Sequence, residues 1–95
     1  MGKVTVIFIA GLELWFNSSD HLPPHLHATK AGHWEIRVYL LTTTERALAF
    51  DLKWPKKAGA GPSAAIQRTL RKAIAANRTA LLLEWEQKVV PTEEV

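Results

Sequence analysis

The stretch Trp34-Glu35-Ile36-Arg37-Val38-Tyr39-Leu40-Leu41 decides the fold class, because it carries the clearest strand signal in the chain. One side of an extended chain here presents only apolar residues, namely Trp34, Ile36, Val38 and Leu40. Strict alternation with a period of two is typical of a β-strand that buries one face. The pattern therefore predicts a strand whose apolar side faces the core.

Three further runs on either side predict strands as well. Val4–Ile9 is rich in β-branched and aromatic residues and predicts a buried strand. Leu12–Phe16 alternates, and Gly11 before it favours either a hairpin or one bulged strand. Downstream, Ala47–Trp54 also alternates, with one apolar face formed by Leu48, Phe50, Leu52 and Trp54.

The period changes from two to between three and four at Ser63. From there the apolar positions indicate an amphipathic helix that begins at Pro62 or Ser63, since both residues suit a helix start. One helix over residues 63–89 would be about 40 Å long, which exceeds the strands of so small a sheet. A bend or a split into two helices is therefore expected near Asn77, a possible cap.

The predicted fold class is α+β: a small antiparallel sheet of about four to five strands, covered by one bent or two C-terminal helices. Residues 1–95 form a single domain, with strands over about residues 3–54, a basic loop over 55–62 and a helical region over 63–90. No apolar run is long enough to span a membrane. The chain has no cysteine, which excludes disulfides and thiolate zinc sites, and the cytoplasm is the expected compartment.

The segment Asp20-His21-Leu22-Pro23-Pro24-His25-Leu26-His27 holds three of the four histidines. Its adjacent prolines restrict the backbone and favour an extended conformation. In an extended chain His25 and His27 project to the same face, with α-carbons about 6.5–7 Å apart. His21 lies on the other side of the prolines and can fold back as a third member.

Three imidazoles with an open position are typical of a catalytic zinc or other divalent-metal site, here held by His21, His25 and His27. Asp20 is then expected to orient one of the rings from behind. Without a metal, the same three histidines are candidates for acid and base catalysis. The alternative is structural, with histidines that bond backbone groups and prolines that shape a turn.

Residues 46–78 carry eight basic residues and one acidic residue. This imbalance favours an acidic partner or nucleic acid, although a solvated basic face is the simpler interpretation. The candidate contacts are Lys53, Lys56, Lys57, Arg68, Arg71, Lys72 and Arg78. The four tryptophans lie in apolar periodic patterns, which favours core packing over stacking platforms: Trp15, Trp34, Trp54 and Trp85.

Asp20–Ala28 reads DHLPPHLHA, and an aromatic residue with asparagine, Phe16-Asn17, precedes it. Together with the ending Asn77–Trp85, this pattern resembles domain-of-unknown-function family 4160 over roughly residues 4–88. The chain departs from the family in its longer loop over residues 54–62 and in small residues around Ala75, where a tryptophan is common. The resemblance implies a small protein partner of domain-of-unknown-function family 2442, encoded nearby in an arrangement like that of toxin–antitoxin pairs.

Three functions follow as hypotheses. The first is a partner-binding component of a toxin–antitoxin-like or regulatory two-gene module, with nucleic acid as a further partner. The second is a hydrolase or nuclease that uses the three histidines, with or without a divalent metal such as zinc. The third is a structural domain without a catalytic site, so the sequence leaves open whether the protein is an enzyme.

Overall fold

The computed structural model describes residues 2–57 and 59–89. Its five strands form one antiparallel sheet in chain order: β1 (Gly2–Lys3), β2 (Glu13–Phe16), β3 (His25–Lys30), β4 (Trp34–Tyr39) and β5 (Phe50–Trp54). Two helices follow the sheet: α1 (Ala64–Ala76) and α2 (Arg78–Lys88). The predicted α+β architecture with an antiparallel sheet and C-terminal helices is confirmed.

The core lies between the sheet and the helices. Ile36, Val38 and Leu40 are fully buried, which confirms the alternation predicted for β4. They belong to one apolar cluster with Leu70 and Ile74 of α1 and residues of α2. Each such side chain contributes about 1.5–3 kcal/mol when it leaves water. The other face of β3 and β4 carries histidine, arginine and tyrosine. The candidate functional side chains therefore lie on the polar face of the sheet.

The predicted split of the helical region is confirmed at Asn77. Ser63 caps α1, because its hydroxyl accepts a hydrogen bond from the Ile66 N–H. The Asn77 N–H closes α1 on the carbonyls of Ala73 and Ile74, and α2 begins at the next residue. Val90, the predicted end of the helical region, lies outside the described residues. Neither described helix has the length and apolar character needed to cross a membrane.

The strand predicted over Val4–Ile9 is wrong. Only Gly2–Lys3 forms a strand paired with β2, and after the Val4 N–H has donated to the Leu14 carbonyl at 2.9 Å the chain leaves the sheet edge. The reason lies in α2, where the Glu84 carboxylate accepts the N–H groups of Thr5 and Val6 at 2.9 and 3.2 Å. A side chain thus replaces the strand ladder as the hydrogen-bond acceptor. Val4 and Ile7 of this run still enter the core, as their apolar character requires.

The prediction that Trp54 packs in the core is also wrong. A bulge lies between β4 and β5, so that Ile36 pairs with Leu52 while Glu35 pairs with Trp54. Residues that pair directly share a face of the sheet, and Trp54 therefore lies on the polar face beside Glu35. Its side chain is 50% exposed. The predictions for Trp34 and Trp85 are confirmed, since both are buried.

Candidate metal centre

A short turn between β2 and β3 places Asp20 next to the histidines. The Asp20 N–H donates to the Asn17 carbonyl at 3.0 Å, and the Asn17 N–H donates to the Asp20 carboxylate at 3.1 Å. Asparagine and aspartate commonly make such local bonds in turns. The reciprocal pair of bonds fixes the direction of the carboxylate before any ligand is bound.

Asp20, His25 and His27 converge on one point. Each offers a ligand atom, and these atoms all lie within 4.8 Å of one another. The His27 Nε2 is 3.1 Å from both Asp20 oxygens, and the His25 Nε2 is 3.4 Å from Oδ1. All three residues are buried, with at most 8% of the surface of each exposed. The prediction that His25 and His27 share one face is confirmed, and their rings meet edge to face.

The hydrogen bonding of His25 fixes which of its nitrogens carries the proton. Its Nδ1 lies 2.8 Å from the Pro23 carbonyl oxygen, which can only accept, so Nδ1 is the donor. In the neutral ring Nε2 is then a bare lone pair. It is buried, has no hydrogen-bond partner among the described residues, and faces a carboxylate oxygen. Two acceptors in this arrangement repel each other unless a proton or a cation lies between them.

His27 also has a buried ring nitrogen without a hydrogen-bond partner among the described residues, namely Nδ1. Its Nε2 can donate to Asp20. The nearest carboxylate atom to Nδ1 is Oε2 of Glu35, at 3.9 Å. Burial lowers the pKa of His27 below its usual value, although the hydrogen bond to Asp20 opposes this shift. The shift favours the neutral ring, which is the form that binds a cation.

Two aromatic side chains enclose the histidines. Trp15, the partner of His27 across the β2–β3 ladder, stacks on its ring with centroids 4.2 Å apart and planes 11° apart. The Tyr39 ring lies 5.9 Å from that of His25. Trp15 is therefore half-buried as a wall of the site rather than as a core residue. Sequence reasoning missed Trp15, Glu35 and Tyr39 as site residues, because strand register alone brings them to the histidines.

The three residues that the structure brings together differ from the three that the sequence predicts as metal ligands. His21, predicted as the third ligand, is exposed and is not one of the three residues that converge. Asp20, predicted to lie behind a ring, takes that place because the turn with Asn17 directs its carboxylate between the two imidazoles. Two imidazoles and one carboxylate suit zinc, iron, manganese and cobalt. Three protein ligands also leave positions for water or substrate, as catalytic sites do.

The basic candidate residues divide into two groups. Arg71 donates from Nε to the Glu45 carbonyl at 2.8 Å, and Arg78 donates to the carbonyls of Leu40 and Thr43. These two arginines hold the backbone of the turn after β4. The remaining five are exposed and keep their charge toward solvent: Lys53, Lys56, Lys57, Arg68 and Lys72.

Comparison with known proteins gives no relative. No protein-family model, no curated protein and no solved structure matches the chain. The resemblance of Asp20–Ala28 to family 4160 therefore stays a prediction. The function must be inferred from the geometry of the site itself.

Proposed function

We propose that the protein is a divalent-metal-dependent hydrolase whose metal is held by Asp20, His25 and His27. The observation that supports this most directly is the buried lone pair of the His25 Nε2, which points at a carboxylate oxygen 3.4 Å away. A cation between these atoms converts a repulsive contact into two favourable ones. The Pro23 carbonyl keeps its hydrogen bond to His25 Nδ1 in this arrangement.

The surroundings of His25 support it in the way that metal ligands require. The Pro23 carbonyl holds the Nδ1–H of His25, and the Glu35 carboxylate lies 3.9 Å from the Nδ1 of His27, beyond hydrogen-bond distance. An outer partner such as the Pro23 carbonyl fixes ring orientation and raises the basicity of the ligand. A divalent metal in a site with open positions supplies a water that ionises near neutral pH, and it polarises a substrate oxygen. Trp15 covers one face of His27 and shields it from solvent.

Removal of the carboxylate charge is expected to weaken metal binding by about a hundredfold or more. Loss of a residue that only supports a ligand already costs up to about a hundredfold, and Asp20 is proposed as a ligand itself. In the variant Asp20→Asn, the amide oxygen still accepts the Asn17 N–H, and the amide N–H can donate to the His25 Nε2. The fold is therefore expected to survive while the site loses its anionic ligand. Zinc and cobalt titrations of chelator-treated protein, followed by calorimetry, measure the affinity.

Glu86→Gln is the control, because Glu86 is an exposed carboxylate on α2 and lies outside the converging group. It is expected to bind the metal as the unaltered protein does. Equal affinity of the Asp20→Asn variant and the unaltered protein would contradict the proposed metal site.

The hydrolase proposal also requires that the metal-loaded protein cleave a chromogenic ester and that Asp20→Asn abolish this cleavage. Cleavage that persists after the metal is removed would favour the metal-free histidine mechanism.

We propose partner binding as the second candidate function, in line with the two-gene module expected from the sequence. The observation in its favour is an apolar groove of about 570 Å³ between the segment over residues 3–9 and β2. Phe8 lines this groove and is 80% exposed. Exposed aromatic residues beside a groove are common anchors of protein interfaces.

The change Phe8→Asp is expected to reduce co-purification with the small partner protein that this candidate function requires by at least about tenfold, since an anchor residue typically contributes 2 kcal/mol or more. The two proteins are co-expressed, and their complex is quantified by size-exclusion chromatography. Leu41→Asp is the control, because Leu41 is 54% exposed and lies outside the groove. An equal loss in both variants, or no complex with the unaltered protein, would rule out this candidate.

A further inference from the structure

Arg37 lies beside the candidate metal centre on the polar face of the sheet. It pairs directly with His27 across the β3–β4 ladder, and its other neighbour in the sheet is Asp51. Direct partners in an antiparallel pair have Cβ atoms about 4.5–5.5 Å apart. We propose that Arg37 and the metal together form a binding site for a phosphate group, so that the substrate class is a phosphate ester. This inference rests on the proposed function.

Arg37 has no carboxylate partner among the described residues, and its guanidinium acts only on the Tyr39 hydroxyl, where it opposes the rise in the pKa of Tyr39. Its Nε is buried without a hydrogen-bond partner in the described part of the chain. The two nearby carboxylates have other partners. Asp51 accepts a hydrogen bond of 2.5 Å from the Tyr39 hydroxyl, and this bond raises the pKa of Tyr39. Glu35 lies against the His27 ring.

A phosphate group matches this pair of charges better than a carboxylate does. The guanidinium offers a fork of Nε–H and Nη–H donors, which binds two oxygens of a phosphate in parallel. A tetrahedral phosphate has a further oxygen for the metal, whereas a carboxylate has only two oxygens in all. The divalent ion and the Arg37 guanidinium are the two positive charges that phosphate oxygens would contact directly. The bound oxygen also gives the buried Nε–H its missing partner.

The test uses cobalt-loaded protein, because the visible absorption of cobalt changes when an oxyanion binds to it. Inorganic phosphate is expected to shift this spectrum in the unaltered protein, and Arg37→Met is expected to raise the dissociation constant for phosphate about tenfold, as loss of a charged hydrogen bond does. Arg46→Met is the matched control, because Arg46 is an exposed arginine in the turn after β4. It is expected to leave phosphate binding unchanged.

Three outcomes separate the two proposals. If cobalt itself does not bind, the proposed function fails before phosphate is added. If cobalt binds and Arg37→Met binds phosphate as the unaltered protein does, the role of Arg37 is wrong while the metal site stands. If acetate binds as tightly as phosphate, the phosphate specificity is wrong. Should Arg37→Met fail to fold, Arg37→Lys provides the test, because it keeps the charge but loses the fork and is expected to weaken phosphate binding.

Discussion

The change Glu84→Ala is expected to lower the free energy of unfolding by about 3–4 kcal/mol, the cost of removing one partner from a buried charged network. Glu84 is 5% exposed on α2. Its carboxylate accepts the N–H groups of Thr5 and Val6 and the Thr5 hydroxyl, at 2.7–3.2 Å. Without it these donors lose their acceptor, and the segment that leaves β1 loses its attachment to the helix. Urea unfolding followed by circular dichroism measures the loss.

Glu86→Ala is the control for this prediction, because Glu86 is exposed on the same helix. It is expected to change stability by less than about 0.5 kcal/mol. Equal stability of both variants would show that Glu84 does not hold the N-terminal segment.

The same carboxylate predicts a dependence of stability on pH. Burial alone would raise the pKa of Glu84, but Lys88 and the bonds from Thr5 and Val6 outweigh burial and hold the pKa below its usual 4.5. A lowered pKa in the folded state means that the stabilisation is complete above pH 4.5 and is lost as the pH falls through the folded value. The unaltered protein should therefore lose stability in acid more steeply than Glu84→Ala does.

The change Arg78→Met is expected to lower the free energy of unfolding by about 2–3 kcal/mol, since two carbonyls lose charged donors. The Arg78 guanidinium donates to Leu40 O and, at 2.8 Å, to Thr43 O. The turn after β4 is thereby fixed to the start of α2. Methionine keeps most of the length and apolar contact of arginine but has no donor. Thermal and urea unfolding both measure this loss.

Arg68→Met serves as the matched control for Arg78→Met, because it removes the same charge from an exposed position of α1. It should leave stability within about 0.5 kcal/mol of the unaltered protein. If both variants lose stability equally, the loss comes from net charge and not from the turn. Arg78 is thus better explained as a structural residue than as part of the nucleic-acid surface predicted from sequence.

The parts of the fold that follow from local periodicity were predictable from sequence. The alternation in β4 and the break at Asn77 need only neighbouring residues to be understood. The strand predicted over Val4–Ile9 is wrong because the hydrogen-bond acceptor of this run, Glu84, lies 79 residues from Thr5. The core position predicted for Trp54 is wrong because the bulge between β4 and β5 moves Trp54 to the other face of the sheet. Both differences arise from contacts between residues that are far apart in the sequence, which local periodicity cannot reveal.

In the candidate site, too, some features follow from local sequence and others depend on contacts between distant residues. That His25 and His27 share a face follows from the strand period alone. That Asp20 completes the group depends on a turn whose two hydrogen bonds with Asn17 determine the carboxylate direction. The contributions of Trp15, Glu35 and Arg37 depend on which residues pair across the sheet. Sequence could therefore identify the centre of the site but not its surroundings.

The spacing of the three converging residues has a consequence for how the protein folds. Asp20 and His27 are only seven residues apart, and two prolines stiffen the chain between them. A metal ion that joins them closes a very short ring, and the conformational entropy it removes from the unfolded chain is correspondingly small. An ion in the proposed site would therefore constrain only this short segment and would add little to the stability of the whole domain. The sheet and helices can then fold first, and the metal can be gained or lost without unfolding the protein.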